Sequence, residues 1–194
     1  MDLKRRNFAL VIYQIRFRMT KAPISSAVLA AITFIWAIAA LAGENADRKA
    51  GAATGLAIPR FVSLKASEVN SRVGPGAEYQ IAWVFKRAGL PVEILAEFEG
   101  WRQVRDSDGV TGWVAAALLS ARRTAVVAPW VKERTVFTLT SSRGGSSEVA
   151  RIEPGAIVDI VHCDGEACEV YAGSQKGWVP QKNLWGVYPE EIVK

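Results

Sequence analysis

One histidine and two cysteines, His162, Cys163 and Cys168, are the most reactive side chains in this sequence. A hydrolytic zinc site needs several His or acidic ligands around an open position, which these three do not furnish, so no metal is expected. A Cys-His hydrolase would have to pair His162 with its sequence neighbour Cys163, and neighbours on a strand point to opposite faces. Serine chemistry with an imidazole base lacks a second histidine. Asp106, Asp108, Asp159 and Glu169 are the carboxylates available for acid-base work. Each lies at a turn or a solvent-facing strand position, where a solvated charge is the simpler reading. No catalytic residue is expected, no cofactor is called for, and the chain reads as a non-enzyme.

Recognition then falls to aromatic rings, charged forks and backbone edges. On a strand running through Val104, the side chains of Trp101, Gln103 and Arg105 point away from the Val104 face. An outward Trp beside polar residues is a stacking platform for a sugar or peptide, or else a cap on the end of a barrel. Arg72 offers a bidentate fork to a carboxylate, or pairs with Glu68 or Glu78 on the surface. Tyr79 either faces a ligand or anchors the loop Arg72 to Gln80. Trp113 and Trp178 follow Gly112 and Gly177, and read first as structural rings covering a core.

The elements that must position these residues occur twice. Gly112-Trp113-Val114 has Leu119 six residues past its Trp, and Gly177-Trp178-Val179 has Leu184 at the same distance. Upstream, Val92-Glu93-Ile94-Leu95 after Gly89 corresponds to Val158-Asp159-Ile160-Val161 after Gly155, and Val104 corresponds to Val170. Turn signals punctuate both halves, at Gly74-Pro75-Gly76, Glu99-Gly100 and Asp108-Gly109, and again at Gly144-Gly145, Asp164-Gly165 and Gly173-Ser174. Runs this short favour strands over helices, so the chain is expected to be all-β, a tandem of small barrels with almost no helix.

Val69-Asn70-Ser71-Arg72-Val73-Gly74-Pro75-Gly76, then Gly89-Leu90-Pro91-Val92-Glu93, Gly100-Trp101 and Gly112-Trp113-Val114 resemble the bacterial SH3-like domain family. The second half, with Cys163-Asp164-Gly165, Cys168 and Leu184-Trp185-Gly186-Val187-Tyr188-Pro189, is similar to the second repeat of a two-module envelope subgroup. The resemblance spans roughly residues 60 to 189. It implies two tandem SH3-like β-barrels with a non-catalytic binding role in the bacterial periplasm or cell envelope, toward peptidoglycan or an envelope protein. In such barrels the loop ending at Tyr79 builds one wall of the groove, and the Arg72 fork would suit the acidic groups of a peptidoglycan stem.

Charge divides the chain. Of 24 Lys and Arg, six precede residue 43, and of 19 Asp and Glu only Asp2 does, so the remainder is formally neutral. The basic character belongs to the leader, and no nucleic-acid partner is expected. Ala27 to Leu41 is uncharged and apolar, and Ala40-Leu41-Ala42 ahead of Gly43-Glu44 suits a signal peptidase, with cleavage between Ala42 and Gly43. The expected layout is a hydrophobic signal helix over 1–42, a signal peptide or an uncleaved signal anchor, with Met19 as an alternative start. A flexible linker over 43–59 follows, then the first barrel over 60–120, an inter-barrel linker over 121–129, the second barrel over 130–189 and a tail over 190–194. Membrane contact is expected only through the N-terminal segment if it is uncleaved.

Export would let Cys163 and Cys168 bridge across Asp164-Gly165-Glu166-Ala167 as the turn of a hairpin, with free thiols the alternative. Counting by twos from Ile160 puts Cys163 on the wrong face, so the strand must bend before the turn. The second module also has Ala167 where the first has Trp101, and only a loose echo of Arg72 to Tyr79. Trp130, Trp185 and Tyr188 are expected to pack together against the linker.

Overall fold

The computed structural model describes residues 49–132 and 135–194. The signal helix, the cleavage point at Ala42 and Gly43, and the alternative start at Met19 lie outside the described residues. A short hairpin of β1 (Lys49–Ala50) and β2 (Ala57–Ile58) precedes two seven-strand paths. The first path comprises β3 (Arg60–Leu64), β4 (Val69–Arg72), β5 (Ile81–Phe85), β6 (Pro91–Phe98), β7 (Trp101–Arg105), β8 (Thr111–Ala115) and β9 (Leu119–Ser120). The second comprises β10 (Thr124–Val127), β11 (Phe137–Thr140), β12 (Glu148–Ile152), β13 (Ile157–Asp164), β14 (Ala167–Ala172), β15 (Gln175–Pro180) and β16 (Leu184–Trp185), with β17 (Ile192–Val193) added on β13. The only helical pieces among the described residues are two 3-10 turns, Ala116–Leu118 and Gln181–Asn183. The described residues are all-β, in keeping with the short punctuated runs.

Both paths have one order. The first runs β5-β4-β8-β7-β6-β3-β9 and the second β12-β11-β15-β14-β13-β10-β16, all pairs antiparallel. Each encloses its own core. Val69, Val92, Ile94, Val104 and Val114 fill the first, and Leu139, Val158, Val170, Val179 and Leu184 are among those that fill the second. The alternation of Val104 and Val114 with half-buried neighbours on β7 and β8 is what one wet and one dry face demand. Gly112 and Gly177 serve close approach, because a Cβ on Gly177 would lie 2.7 Å from the Thr140 carbonyl and one on Gly112 would strike the Ser71 hydroxyl.

Three segments depart from the expected layout. Within 43–59, residues 49–58 form the β1–β2 hairpin, whose turn is held by the buried carboxylate of Glu97 on β6. Its oxygens accept the Ala53 and Thr54 backbone N–H groups at 2.9 and 2.8 Å and the Thr54 hydroxyl at 2.8 Å. Within 121–129, Thr124 to Val127 form β10, buried at every position and paired to both β13 and β16. Within 190–194, β17 pairs with Cys163 and Asp164 and buries Val193. In the last two cases a short, mostly apolar run joins the second sheet, because leaving it in solvent would expose apolar surface and an unpaired edge.

The barrels touch through side chains as well as through the chain. Phe61 on β3 packs edge-on to Trp185 at 5.1 Å between ring centres and tilted on Tyr188 at 4.8 Å. The Tyr188 hydroxyl donates to Glu93 at 2.8 Å, the Thr124 hydroxyl to the Gly89 carbonyl at 2.7 Å, and Arg87 to the Gly155 carbonyl at 3.0 Å. Trp185 and Tyr188 therefore seal a joint with the first barrel. Trp130 does not join them in that packing; it stands 55% exposed beside Pro180 and Pro189.

Candidate functional site

The outer face of the first barrel gathers four of the residues named above. Directly opposed residues of an antiparallel pair share a face, and the register sets Arg72 opposite Trp113, Trp113 opposite Gln103, and Trp101 opposite Ala115. Arg72, Trp113 and Gln103 thus form a row across three strands. Trp101 lies two positions from Gln103 on β7 and diagonal to Trp113. The burial of β7 follows the expected alternation, with Arg102 and Val104 inside and Trp101 and Gln103 half-buried on the other side.

Trp113 and Trp178 do not cover the cores. On their strands the buried positions are Gly112 and Val114, and Gly177 and Val179, while both Trp rings are half-buried on the opposite face. A Gly before the Trp leaves room for the neighbouring strand, and the residue after it fills the core.

Arg72 is tied to its own loop. It pairs with neither Glu68, which is bound to Lys86 at 2.7 Å, nor Glu78. Instead its Nη1 donates to the Tyr79 carbonyl at 2.5 Å and pins the end of the loop to β4. The Tyr79 ring lies over Gly74, where any Cβ would collide with it, yet remains 42% exposed. Tyr79 therefore anchors the loop and still offers part of its ring outward.

Two exposed aromatics complete the face and its edge. Phe98, 50% exposed, is the cross-strand partner of Trp101. Two-residue hairpin loops bring the residues before and after the turn together, so Phe98-Glu99-Gly100-Trp101 carried that signal. Trp83, 57% exposed, stands on β5, the edge strand.

On the second barrel the same register positions are occupied differently. Thr140 stands opposite Trp178 where Arg72 stands opposite Trp113, Glu169 replaces Gln103, and Ala167 replaces Trp101. Glu169 binds Lys176 at 2.9 Å, a hydrogen bond that holds the ammonium above its usual pKa, and Lys176 lies 5.9 Å over the Tyr171 ring. His162 meets the edge of Trp178 at 6.3 Å. This face is engaged with itself, and a cavity of about 220 Å³ lies beside Trp178, Thr140 and Gly144.

His162 has no metal-ligating company, and among the described residues no cluster of three His, Cys, Asp or Glu side chains is placed to hold an ion. Cys163 and Cys168 are joined in a disulfide, both fully buried. The bend that this required is a register shift between Ile160 and His162.

No curated protein matches the chain. Among solved structures it is similar to NlpC2 from Trichomonas vaginalis, at 15% identity and a TM-score of 0.30 over 66% of this chain, and to NlpC1 from the same organism, at 14% and 0.29 over 69%. It spans about half the length of those chains, 48% of each. A family model described as Bacterial SH3 domain matches residues 65–121 and again residues 132–186. Those two matches take in more than half of the chain and one falls on each barrel: the protein belongs to the bacterial SH3 domain family, as a tandem of two modules.

Proposed function

We propose that the chain is a non-catalytic binding module of the bacterial periplasm or cell envelope that recognises peptidoglycan or a cell-wall peptide through the first barrel. The observation that carries this reading is the contrast between the two outer faces. The first presents Trp101, Phe98 and Trp113 in one aromatic surface beside Arg72 and Tyr79, whereas the second has Ala167 and Thr140 at the matching positions and pairs its remaining polar groups with each other. Rings with a polar border suit stacking on sugar or peptide, and family membership supports a wall ligand. The export part of the reading rests on the N-terminal segment and on the family.

Co-sedimentation of the purified protein with isolated peptidoglycan tests it, with Trp101→Ala as the paired variant and circular dichroism as the check on its fold. Pelleting by the parent and not by the folded variant supports the site. A protein that stays in the supernatant at every concentration removes the wall reading.

A protein-docking role is the second reading, and one observation favours it. Ile81 and Trp83 are 48% and 57% exposed on edge strand β5, which carries no charged side chain. Edge strands left uncharged and apolar are the ones that accept a partner. Cross-linking in an envelope extract would then trap a partner through β5.

A further inference from the structure

The largest cavity described on the second barrel, about 740 Å³, lies far along the chain from the aromatic face of the first and within the range of small-ligand sites. Its walls come from the turn of the disulfide hairpin, the 3-10 turn after β15, the chain from Val187 to Glu190, and Trp130. Pro180, Leu184, Val187 and Pro189 make it mostly apolar.

The polar groups in its wall are dominated by acceptors. Gln181 is 4% exposed; its Nε2 donates to the Tyr188 and Glu191 carbonyls at 2.7 and 3.2 Å, and its Oε1 is buried with no donor. Reversing the amide would remove both bonds, so the orphaned atom is the oxygen. The Glu190 carboxylate has no ion-pair partner among the described residues, and Glu190 holds φ at 59°, a left-handed conformation that a non-glycine residue adopts only where its surroundings enforce it. Glu166 is paired with Arg143, which also binds Asp164, and Lys182 is the one cation in the lining. Trp130 offers an exposed aromatic face.

An apolar trough bordered by an unpaired carboxylate and an exposed aromatic ring suits a positive donor on an aliphatic stem. We propose that this cavity binds a peptide through an alkylammonium side chain of the lysine type. The methylenes lie along the proline and aliphatic wall, and the ammonium is held by Glu190 and the face of Trp130. The site is separate from the first-barrel face, so its failure and the failure of the wall reading are distinguishable.

The test titrates the full chain with N-acetyl-lysine methylamide and, separately, with its Nε-acetylated form, which keeps the stem and removes the charge. The readout is the Trp130 indole N–H resonance, assigned by its loss in Trp130→Phe. Saturable movement with the cationic probe, and at least fivefold weaker movement with the acetylated one, is the expected result. Glu190→Gln should weaken binding about fivefold and Lys182→Gln should tighten it, while Trp101→Ala leaves it unchanged. Equal response to both probes would reduce the cavity to a generic apolar cleft and overturn the proposal, as would no response in the folded parent or no opposite effect of the two charge variants. An unchanged backbone spectrum confirms the fold of each variant.

Discussion

The two barrels share a strand order but close the same hairpin by different chemistry. On β6 and β7 of the first, Glu97 stands opposite Arg102; on β13 and β14 of the second, the matching pair is Cys163 opposite Cys168. Both pairs face inward, and both sit where a flanking segment is attached. Glu97 holds the β1–β2 hairpin and also binds Arg60 at 2.7 Å and Arg102 at 3.5 Å, while Cys163 pairs with Val193 of β17. An ionic knot can gather several partners around one carboxylate, including a segment that arrives from elsewhere in the chain. A disulfide joins only two atoms and leaves its flank to be held by backbone pairing. The first barrel's closure therefore answers to acid and the second's to reductant.

Removing Glu97 should have the largest effect. The side chain is fully buried among two arginines, a hydroxyl and two backbone N–H groups. Glu97→Ala strands those donors and two cations, a loss of about 3 to 5 kcal/mol, readable as a lowered urea midpoint. The hairpin residues Ala53 and Thr54 should lose amide-exchange protection first. Acid should reproduce part of this in the intact protein. Burial raises the Glu97 pKa, but the Arg60 hydrogen bond and those from Thr54 and Ala53 outweigh it and lower the value from 4.5 to about 2. A depressed carboxylate contributes its full stability above its unfolded pKa. That contribution is lost as pH falls from about 4.5 to about 2, and Glu97→Gln should flatten this part of the pH–stability curve.

Breaking the disulfide should cost less. It closes a loop of only a few residues, below the roughly 3 kcal/mol expected for a 15-residue loop, so reduction should remove about 2 kcal/mol. The loss should be confined to the second barrel, seen as earlier exchange of β13, β14 and β17 amides in reductant with β6 and β7 unchanged. A uniform loss over both barrels would mean that the closures are not independent.

The difference in chemistry was half legible. The repeat, the all-β class and the tandem were carried by local signals, glycine turns and Gly-Trp-Val strands, and these survive folding unaltered. Cys163 betrayed its bend because a disulfide demanded that the side chain turn inward, and the register shift between Ile160 and His162 supplies it. The first barrel has the same shift between Ile94 and Ala96, and nothing in the residues announced it, since a Glu near a turn reads as solvated. One extra residue reverses the parity of the strand and carries Glu97 inside. Parity also governed the face: counting by twos from Val104 placed Trp101 and Gln103 correctly because β7 and β8 pair without a shift. The ring positions of Trp113 and Trp178 were misread since their hydrophobicity outweighed the strand pattern. The β1–β2 hairpin escaped because its anchor is 40-odd residues away in sequence.

At the joint the two modules keep separate cores but meet through Phe61, Trp185 and Tyr188. Glu93 is a buried carboxylate on the first barrel, bound by Arg105 Nε at 2.9 Å and by the Tyr188 hydroxyl of the second at 2.8 Å. Tyr188→Phe keeps the ring against Phe61 and deletes one hydrogen bond to a charged group that keeps its arginine. The expected loss is about 1 to 2 kcal/mol. If the barrels unfold as one unit, both should show it by a common shift in the thermal midpoint. If they unfold separately, Tyr188→Phe should leave each barrel's own midpoint nearly unchanged and raise exchange only at β3, β10 and the Trp185–Tyr188 segment. Residual dipolar couplings measured on the two barrels would distinguish these outcomes directly: a single alignment tensor for both in the parent, splitting into two in the variant, would identify this one hydroxyl as a determinant of how the modules are held.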